Sequence, residues 1–207
     1  MSKTPQRLII PSAYLPSISY FAAIVEAAKN GREIVIDLGE NYIKRTQRNR
    51  CKIVTAQGEM ELTVPVQNAN KPRQKITTIT IDNSKRWQHQ HWVAIRSAYK
   101  ASPYFDHFEP YLEPIYTKEW SSLTELNDAL MGVALKLLKL EAKITKSELY
   151  IECREEDIDL RPKNTASQKE RTPKEYTQVF HYRLQFIPNA SILDLILCEG
   201  PLAVEYL

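Results

Sequence analysis

Cysteine is scarce in this sequence, and its three copies do not define a site. Cys51, Cys153 and Cys198 are widely separated, and no CxxC motif occurs. An odd and widely spaced set indicates neither a disulfide framework nor a zinc site. We therefore expect no bound metal, a reducing compartment and a cytoplasmic protein.

Long apolar runs are also missing. The run "RLII" at residues 7 to 10 is far shorter than the hydrophobic core of a signal peptide, and no later stretch approaches the length of a membrane span. We therefore expect neither a secretion signal nor a membrane span.

An excess of one charge sign is absent as well. Lys and Arg total 28 against 25 Asp and Glu, so the formal net charge is only +3. A dedicated nucleic-acid binder usually carries a clear basic excess. This composition therefore argues against nucleic acid as the partner.

The common nucleotide-binding and catalytic signatures do not occur. The sequence contains no GxGxxG, GxxxxGK[ST], HExxH or GxSxG motif, so it predicts none of the sites that those motifs form. It identifies no cofactor. A functional site would have to be assembled from scattered residues.

The beginning of the chain predicts a β-α-β unit. "RLII" predicts a buried strand, the spacing of apolar residues from 18 to 28 predicts a helix, and "EIVID" (33 to 37) predicts a second strand. This order is typical of a parallel crossover unit. Ligands of such sheets bind beyond the carboxyl ends of the strands, so Tyr14 and Asp37 are candidate site residues.

The rest of the chain extends this unit into a single α/β domain, residues 1 to 207. The turn signal Gln57-Gly58 predicts a β-hairpin, and "KITTITID" (75 to 82) predicts a further strand. Ser122 and Glu125 form a helix-capping pattern. We predict a mixed sheet that opens with the β-α-β unit plus the hairpin and is packed by helices mainly from the second half.

Two late stretches carry weaker patterns. Residues 161 to 175 have no apolar periodicity, and we predict that they form a mobile loop. The following stretch "YTQVFHYRLQF" (176 to 186) has the composition of a strand.

The sharpest local feature is "YIKRTQRNRCKI", residues 42 to 53, which holds five cationic side chains and no acid. We expect an extended segment, in which alternate side chains share a face. Converging guanidinium groups bind phosphate or carboxylate bidentately, and composition alone favours the alternative of a solvated loop or edge strand. The candidate anion contacts are Tyr42, Lys44, Arg45, Arg48, Asn49 and Arg50.

That segment also leads to an expectation about stability. Because no acid lies within it, like charges repel one another there. Replacing Arg48 and Arg50 together should then leave the fold nearly as stable as before.

The histidines differ in what they predict. His89 and His91 lie two positions apart in a predicted helix, so they point in different directions and cannot share one metal ion. His91 shares the apolar side of that helix with Trp87 and predicts a hydrogen-bonded core histidine. His89 is a candidate site residue. The spacing selects no nucleophile to pair with either residue.

An ordered set of motifs runs through the chain: "PSAYLPSISYF", "YIKRTQRNRCKI", "LTVPV", "HQHW", "SPYF" and "SILDLILCEG". In this order and at these separations they resemble the WbqC-like family of bacterial proteins. The most specific part is Lys44-Arg45 followed by Arg48-Asn49-Arg50, which is similar to a KR-W-NRN pattern. Gln47 stands where relatives often have an aromatic residue, and Cys51 stands where Asn is usual.

The resemblance implies a general role. Members of the family are found with genes for O-antigen and other surface polysaccharides, and some carry the label of glycine transferase. A motif with a recognisable order also favours a functional basic segment over a solvated loop.

Two functions are therefore open. In the first, the protein is an enzyme of surface polysaccharide biosynthesis, and a glycine- or acyl-type transferase is one possibility. Lys44, Arg45, Arg48 and Arg50 then hold the phosphates of a nucleotide-linked or lipid-linked donor, and Tyr14 and Asp37 position the acceptor or the sugar hydroxyls. In the second, it is a non-catalytic module that binds an anionic partner, either a nucleotide or a nucleic acid. The basic segment has one aromatic residue, Tyr42, which is poor for single-strand binding. The oligomeric state stays open.

Overall fold

Strands and helices alternate at the start of the chain, and helices dominate the second half. The computed structural model describes residues 6–161 and 174–207. The elements are β1 (Arg7–Pro11), α1 (Ile18–Lys29), β2 (Glu33–Asp37), β3 (Arg50–Thr55), β4 (Gly58–Thr63), α2 (Trp87–Tyr99), α3 (Phe105–Thr117), α4 (Leu123–Leu137), β5 (Ile144–Ser147), β6 (Ile158–Asp159) and α5 (Ile192–Glu199). A 3₁₀ helix, Gly200–Tyr206, follows α5. The protein has the predicted α/β class.

A four-stranded parallel sheet has the strand order β5-β2-β1-β6. Strands β1 and β2 pair from Arg7 opposite Glu33 to Pro11 opposite Asp37, and α1 connects them. This arrangement confirms the predicted β-α-β unit. Because the strands are parallel, their carboxyl ends lie at one edge of the sheet, where Asp37 ends β2 and Asp159 ends β6.

The predicted hairpin is also confirmed. Strands β3 and β4 pair antiparallel, from Arg50 opposite Thr63 to Thr55 opposite Gly58. Gly58 has φ +106°, a conformation that residues with a Cβ rarely adopt. The solvent side of β3 carries Arg50 and Lys52, while Cys51 and Ile53 are buried.

Two hydrophobic clusters form the core. One packs the hairpin against α2 and α3, and the other packs the parallel sheet against α1 and α4. Helix α5 contributes Leu193 to the first cluster and Leu195 to the second, so it is buried on more than one side. Ser122 caps α4 as predicted: its Oγ accepts a hydrogen bond from the Glu125 amide at 3.4 Å. None of the helices in the described ranges is both long and apolar enough to cross a membrane.

The strand predicted at residues 75 to 82 does not form. A 3₁₀ helix occupies Ile76–Thr78, and Thr80 and Ile81 make only isolated bridges. Ile76 and Ile79 are buried and lie three positions apart, which suits the face of a 3₁₀ turn rather than the alternation of a strand.

The strand-like stretch at residues 176 to 186 consists of turns and irregular backbone instead. The side chain of Gln178 explains part of this, since its amide donates to the Ile187 carbonyl at 3.0 Å and its carbonyl accepts from the Ile187 amide at 2.9 Å. A side chain thus binds the backbone groups with which a neighbouring strand would pair. Most of the predicted mobile loop, residues 162–173, lies outside the described residues.

Candidate anion-binding cleft

Arg48 lies inside the protein, paired with Glu40. Its Nε donates to Glu40 Oε1 at 2.9 Å, its Nη2 donates to Glu40 Oε2, and its Nη1 donates to Thr46 Oγ1 at 3.1 Å. The Arg48 side chain is only 1% exposed. Burial raises the pKa of Glu40, although the hydrogen bonds from Arg48 oppose the shift. The acid that Arg48 binds thus comes from outside the basic segment, so the repulsion that we expected within the segment is relieved at Arg48 by a distant partner.

Hydrogen bonds to buried groups also fix Asn49 and the backbone of Arg48. The Asn49 side-chain amide donates to the Val64 carbonyl at 2.9 Å. Asn127 on α4 donates to the Arg48 carbonyl at 2.9 Å and to Ser12 Oγ at 3.0 Å. These contacts hold the turn that precedes β3 in place. Arg48 and Asn49 therefore have a structural role in the interior and are not exposed to a ligand.

Tyr14 belongs to a buried hydrogen-bond network. Its hydroxyl lies 2.8 Å from His91 Nδ1 and 3.0 Å from the Tyr116 hydroxyl. Burial lowers the pKa of His91 from 6.5 to about 4 and raises the pKa of Tyr14 well above its ordinary value. His91 is thus a neutral core histidine at neutral pH, as predicted, and Tyr14 is fully buried.

Asp37 is fully buried at the carboxyl edge of the sheet. It forms an ion pair with Arg161 Nη1 and accepts a hydrogen bond from the Gly39 amide at 2.8 Å. Arg161 also binds Asp159, with Nε 2.9 Å from Oδ1 and Nη2 2.6 Å from Oδ2. The protein's own guanidinium therefore occupies the edge where a ligand was expected. Asp159 ends a strand as Asp37 does, so the same strand-end reasoning could have selected it.

Residues 42 to 49 are not extended. They form bends and a turn, and Arg45 has φ +61°. Two hydrogen bonds from the segment between β1 and α1 hold this turn: the Tyr14 amide donates to the Gln47 carbonyl at 2.8 Å, and the Ser17 amide donates to Gln47 Oε1 at 3.0 Å. The alternation of side chains that we expected begins only at Arg50, where β3 starts.

A cleft of about 450 Å³ opens where this turn, the hairpin and the start of α5 meet. Its charged lining residues are Arg45, Arg50, Lys52, Glu59 and Glu61. Arg50 Nη1 lies 2.6 Å from Glu61 Oε1, and Lys52 Nζ lies 2.9 Å from Glu59 Oε2. These pairs are largely solvent-exposed, and such pairs are weak. Arg45 is exposed and forms no ion pair within the described parts of the chain.

Two helices begin at this cleft. Ser17, the N-cap of α1, and Ser191, the N-cap of α5, line it and form an isolated antiparallel bridge with each other. The Ile18 amide donates to the Ala190 carbonyl at 3.0 Å, and the Ile192 amide donates to the Pro16 carbonyl at 2.8 Å. The first amides of both helices are thus already bonded. The helix dipoles add a positive field, but side chains must make the contacts to an anion.

Backbone strain is concentrated around the cleft. Three lining residues other than glycine have positive φ: Leu15 at 41°, Arg45 at 61° and Asn189 at 57°. Such a conformation costs roughly 1–2 kcal/mol for a residue such as Leu or Arg, whereas Asn adopts it more readily. Strained positions of this kind occur preferentially at ligand sites. This strain favours a functional interpretation of the turn over a solvated loop.

Of the residues selected from the sequence, Arg45 and Arg50 line this cleft. Lys44 is exposed and donates to Asn70 Oδ1 at 3.1 Å, Tyr42 is half-buried, and His89 is exposed on α2. Sequence reasoning counted Lys52 among the five cations of the basic segment but did not choose it as an anion contact. It did not select Glu59 or Glu61, although their alternation along the predicted hairpin was a usable signal. Within the described residues, no cluster of three or more His, Cys, Asp or Glu side chains could hold a metal ion.

Comparison with known proteins places the chain in a family. The model of the WbqC-like protein family matches residues 12–169. The chain belongs to the WbqC-like protein family. This WbqC-like protein is 34% identical over 143 residues to Uncharacterized protein Rv1507c of Mycobacterium tuberculosis, an alignment that covers 69% of the chain and 60% of that relative. It therefore spans less than two thirds of that relative's length. No solved structure is significantly similar to it.

The family match includes most of the cleft. All of the charged lining residues fall within residues 12–169, whereas Pro188, Asn189 and Ser191 come from the C-terminal segment beyond the match. In this WbqC-like protein, the basic turn and the hairpin thus lie within the matched range, and the C-terminal segment completes the wall of the cleft.

Proposed function

We propose that this WbqC-like protein is a transferase of bacterial surface polysaccharide biosynthesis, and that its cleft binds a phosphate-containing donor. The observation that carries the proposal is the position of Arg45, an exposed cation with no acidic partner in the described ranges, beside Arg50 and Lys52. The family resemblance supports the pathway, because members of the family are found with genes for surface polysaccharides.

The charges of the cleft suit a phosphate group. Guanidinium groups bind phosphate oxygens through paired N–H donors, and three cations face two carboxylates in the lining. A volume of about 450 Å³ lies within the range of pockets that hold small ligands. A nucleotide-linked or lipid-linked donor would bind with its phosphates against Arg45 and Arg50, and the phosphate would replace Glu61 on Arg50.

The carboxylates of the hairpin could act as the general base for the acceptor. Glu59 and Glu61 are exposed in the same cleft, and a carboxylate that Arg50 releases can take a proton from an attacking hydroxyl or amine. Transfer of a glycyl or other acyl group from an acyl phosphate onto a sugar is one reaction of this kind. The bond from the acyl carbon to the sugar would form as its bond to the phosphate oxygen breaks, and the phosphate would leave onto Arg45 and Arg50. The label carried by some family members supports such a transfer.

A second candidate is a non-catalytic module that binds an anionic partner, such as a nucleotide or nucleic acid, through the same cations. One observation favours it: Cys51, the thiol that lines the cleft, is 5% exposed, and burial raises its pKa. A thiol of this kind is not an activated nucleophile. The module would bind the same ligand without consuming it.

The test is a thermal-shift screen against inorganic phosphate, diphosphate, nucleotides, nucleotide sugars, aminoacyl adenylates and short oligonucleotides. A ligand at 100 times its Kd adds about 2.7 kcal/mol to the free energy of unfolding, which is a measurable rise in Tm. We expect the rise to disappear in Arg45→Gln and to persist in Arg183→Gln, which removes an exposed cation outside the cleft lining. Equal rises in Tm in both variants would contradict the proposal that the ligand binds in the cleft.

The same screen leads to a test of catalysis. Each binding donor is incubated with the protein and candidate acceptor sugars, and mass spectrometry follows the donor. Consumption of the donor that Arg45→Gln abolishes supports the transferase, whereas binding without consumption favours the module.

A further inference from the structure

Two loops meet beside the cleft and hold each other in place. The Tyr42 amide donates to the Gln74 carbonyl at 2.7 Å, Lys44 Nζ donates to Asn70 Oδ1 at 3.1 Å, and Asn41 bridges Lys75. These bonds join residues 41–46 to residues 67–75. The side chains that the two loops bring together therefore form one surface.

All charged residues of that surface are Lys or Arg. Neither loop contains an acid, and together they carry five exposed cations, which we call the basic surface: Lys44, Arg45, Lys71, Arg73 and Lys75. None of the five forms an ion pair with a residue that the structure describes. The whole chain has a formal charge of only +3, so the rest of the molecule is net negative and the positive charge is segregated here.

Such segregation of charge is electrostatically unfavourable. Like charges in neighbouring loops repel one another. Some exposed cations elsewhere have an acidic partner, as Lys146 has Asp128 at 2.6 Å and Lys100 has Asp106 at 2.5 Å. The loop also contains two residues other than glycine with positive φ, Asn68 and Arg73, both at 55°. An extended anionic partner would relieve the repulsion of all five cations at once.

We propose that the basic surface binds the anionic headgroups of a phospholipid bilayer and docks the protein reversibly on the membrane. Clusters of roughly four to eight Lys and Arg side chains are the usual signature of such binding. Arg45 belongs both to the basic surface and to the cleft, so docking would bring the cleft to the lipid surface. The proposal rests on the loops and holds whether or not the cleft is a transferase site.

The composition of the loops favours a lipid surface over nucleic acid. Residues 67–75 contain no aromatic side chain, and Tyr42 is half-buried, so bases would find no stacking platform. Both loops lack the helix or paired strands that enter a DNA groove. The loops also lack a large exposed apolar side chain that would insert into a bilayer, so binding should be electrostatic and should weaken as salt rises.

Vesicle co-sedimentation tests the proposal. We expect binding to vesicles of equimolar phosphatidylcholine and phosphatidylglycerol at low ionic strength, weaker binding at high ionic strength, and none to phosphatidylcholine alone. The triple variant Lys71→Gln, Arg73→Gln and Lys75→Gln should bind about a hundredfold more weakly, since three cations near an anionic surface are lost. These three residues do not line the cleft.

The matched control replaces two lysines and one arginine elsewhere: Lys139→Gln, Lys143→Gln and Arg183→Gln, all of them exposed. It should bind as the parent does apart from a small loss from the lower net charge. No binding of the parent to anionic vesicles, or an equal loss in the control, would overturn the proposal. So would tighter binding of duplex or single-stranded oligonucleotides than of vesicles at the same salt concentration.

Two measurements keep the result interpretable. The Tm of the triple variant shows whether it is folded; if it melts below the parent, the double variant Lys71→Gln and Arg73→Gln replaces it. Binding of soluble phosphate compounds is measured separately without lipid. Loss of vesicle binding with intact binding of those compounds, or the reverse, then separates the basic surface from the cleft.

Discussion

The guanidinium of Arg48 lies against the carboxylate of Glu40, with Nε 2.9 Å from Oε1 and both side chains almost hidden from solvent. The pair joins the segment after β2 to the turn that precedes β3. Arg48 is thus a part of the framework that positions Arg45 and Arg50 at the cleft.

The first prediction concerns this pair. Arg48→Gln leaves the Glu40 carboxylate buried without its partner, so we expect the free energy of unfolding to fall by about 3–5 kcal/mol. Arg45→Gln, on the exposed side of the same turn, should change it by about 0.5 kcal/mol or less. Urea denaturation of both variants beside the parent measures the difference, and similar small losses in both would show that the buried pair does not stabilise the fold.

The second prediction concerns the carboxyl edge of the sheet. Arg161→Gln leaves Asp37 and Asp159 buried without the cation that they share, and it should cost about 3–5 kcal/mol of stability. Arg161→Lys retains the charge but loses the planar fork, so its loss should be smaller. Arg154→Gln, an exposed arginine nearby in sequence, is the control. A stable Arg161→Gln protein would mean that the two carboxylates find other partners.

The third prediction is a dependence of stability on pH. Burial lowers the pKa of His91 from 6.5 to about 4, so between these values the unfolded chain binds the proton and the folded protein does not. Above pH 6.5 this histidine does not reduce the free energy of unfolding. As the pH falls from 6.5 toward 4, the free energy of unfolding decreases by about 3 kcal/mol in total because of this group.

His91→Gln removes this contribution to the pH dependence. Burial raises the pKa of Glu40 and Asp194, and these carboxyl groups oppose the slope in both proteins, so the parent and the variant must be compared directly. We expect the variant to lose less stability than the parent between pH 6.5 and 4. His89→Gln, at an exposed position, should keep the parent's slope. Equal slopes in the parent and His91→Gln would refute the assignment.

The fourth prediction concerns the charges of the cleft. Glu61 Oε1 lies 2.6 Å from Arg50 Nη1, so Glu61 competes with an anion for this guanidinium. Since an exposed pair is worth about 0.2–1 kcal/mol, Glu61→Gln should tighten diphosphate binding by up to about fivefold. Isothermal titration calorimetry measures this change. The control Glu141→Gln removes an exposed charge elsewhere. If it tightens diphosphate binding equally, the effect comes from net charge and not from release of Arg50.

Several elements could be predicted from the sequence because their causes are local. The spacing of apolar residues identified β1, α1 and β2, the Gln57-Gly58 turn identified the hairpin, and Ser122 identified the start of α4. Backbone hydrogen bonding, side-chain periodicity and turn conformation depend on residues close in sequence. The strands predicted at residues 75 to 82 and 176 to 186 do not form. In the first stretch a 3₁₀ helix buries Ile76 and Ile79, and in the second the side chain of Gln178 binds the backbone of Ile187.

The buried partners of Asp37 and Arg48 were decided by tertiary structure. Asp37 and Arg161 are 124 positions apart, yet they form one buried ion pair, while Arg45 and Arg48 are three positions apart and differ completely in exposure. The sequence by itself determined that cations would cluster at residues 44 to 52. Whether each cation is free to bind a ligand depends on which distant groups the fold brings within about 4 Å, where charge interactions are strong.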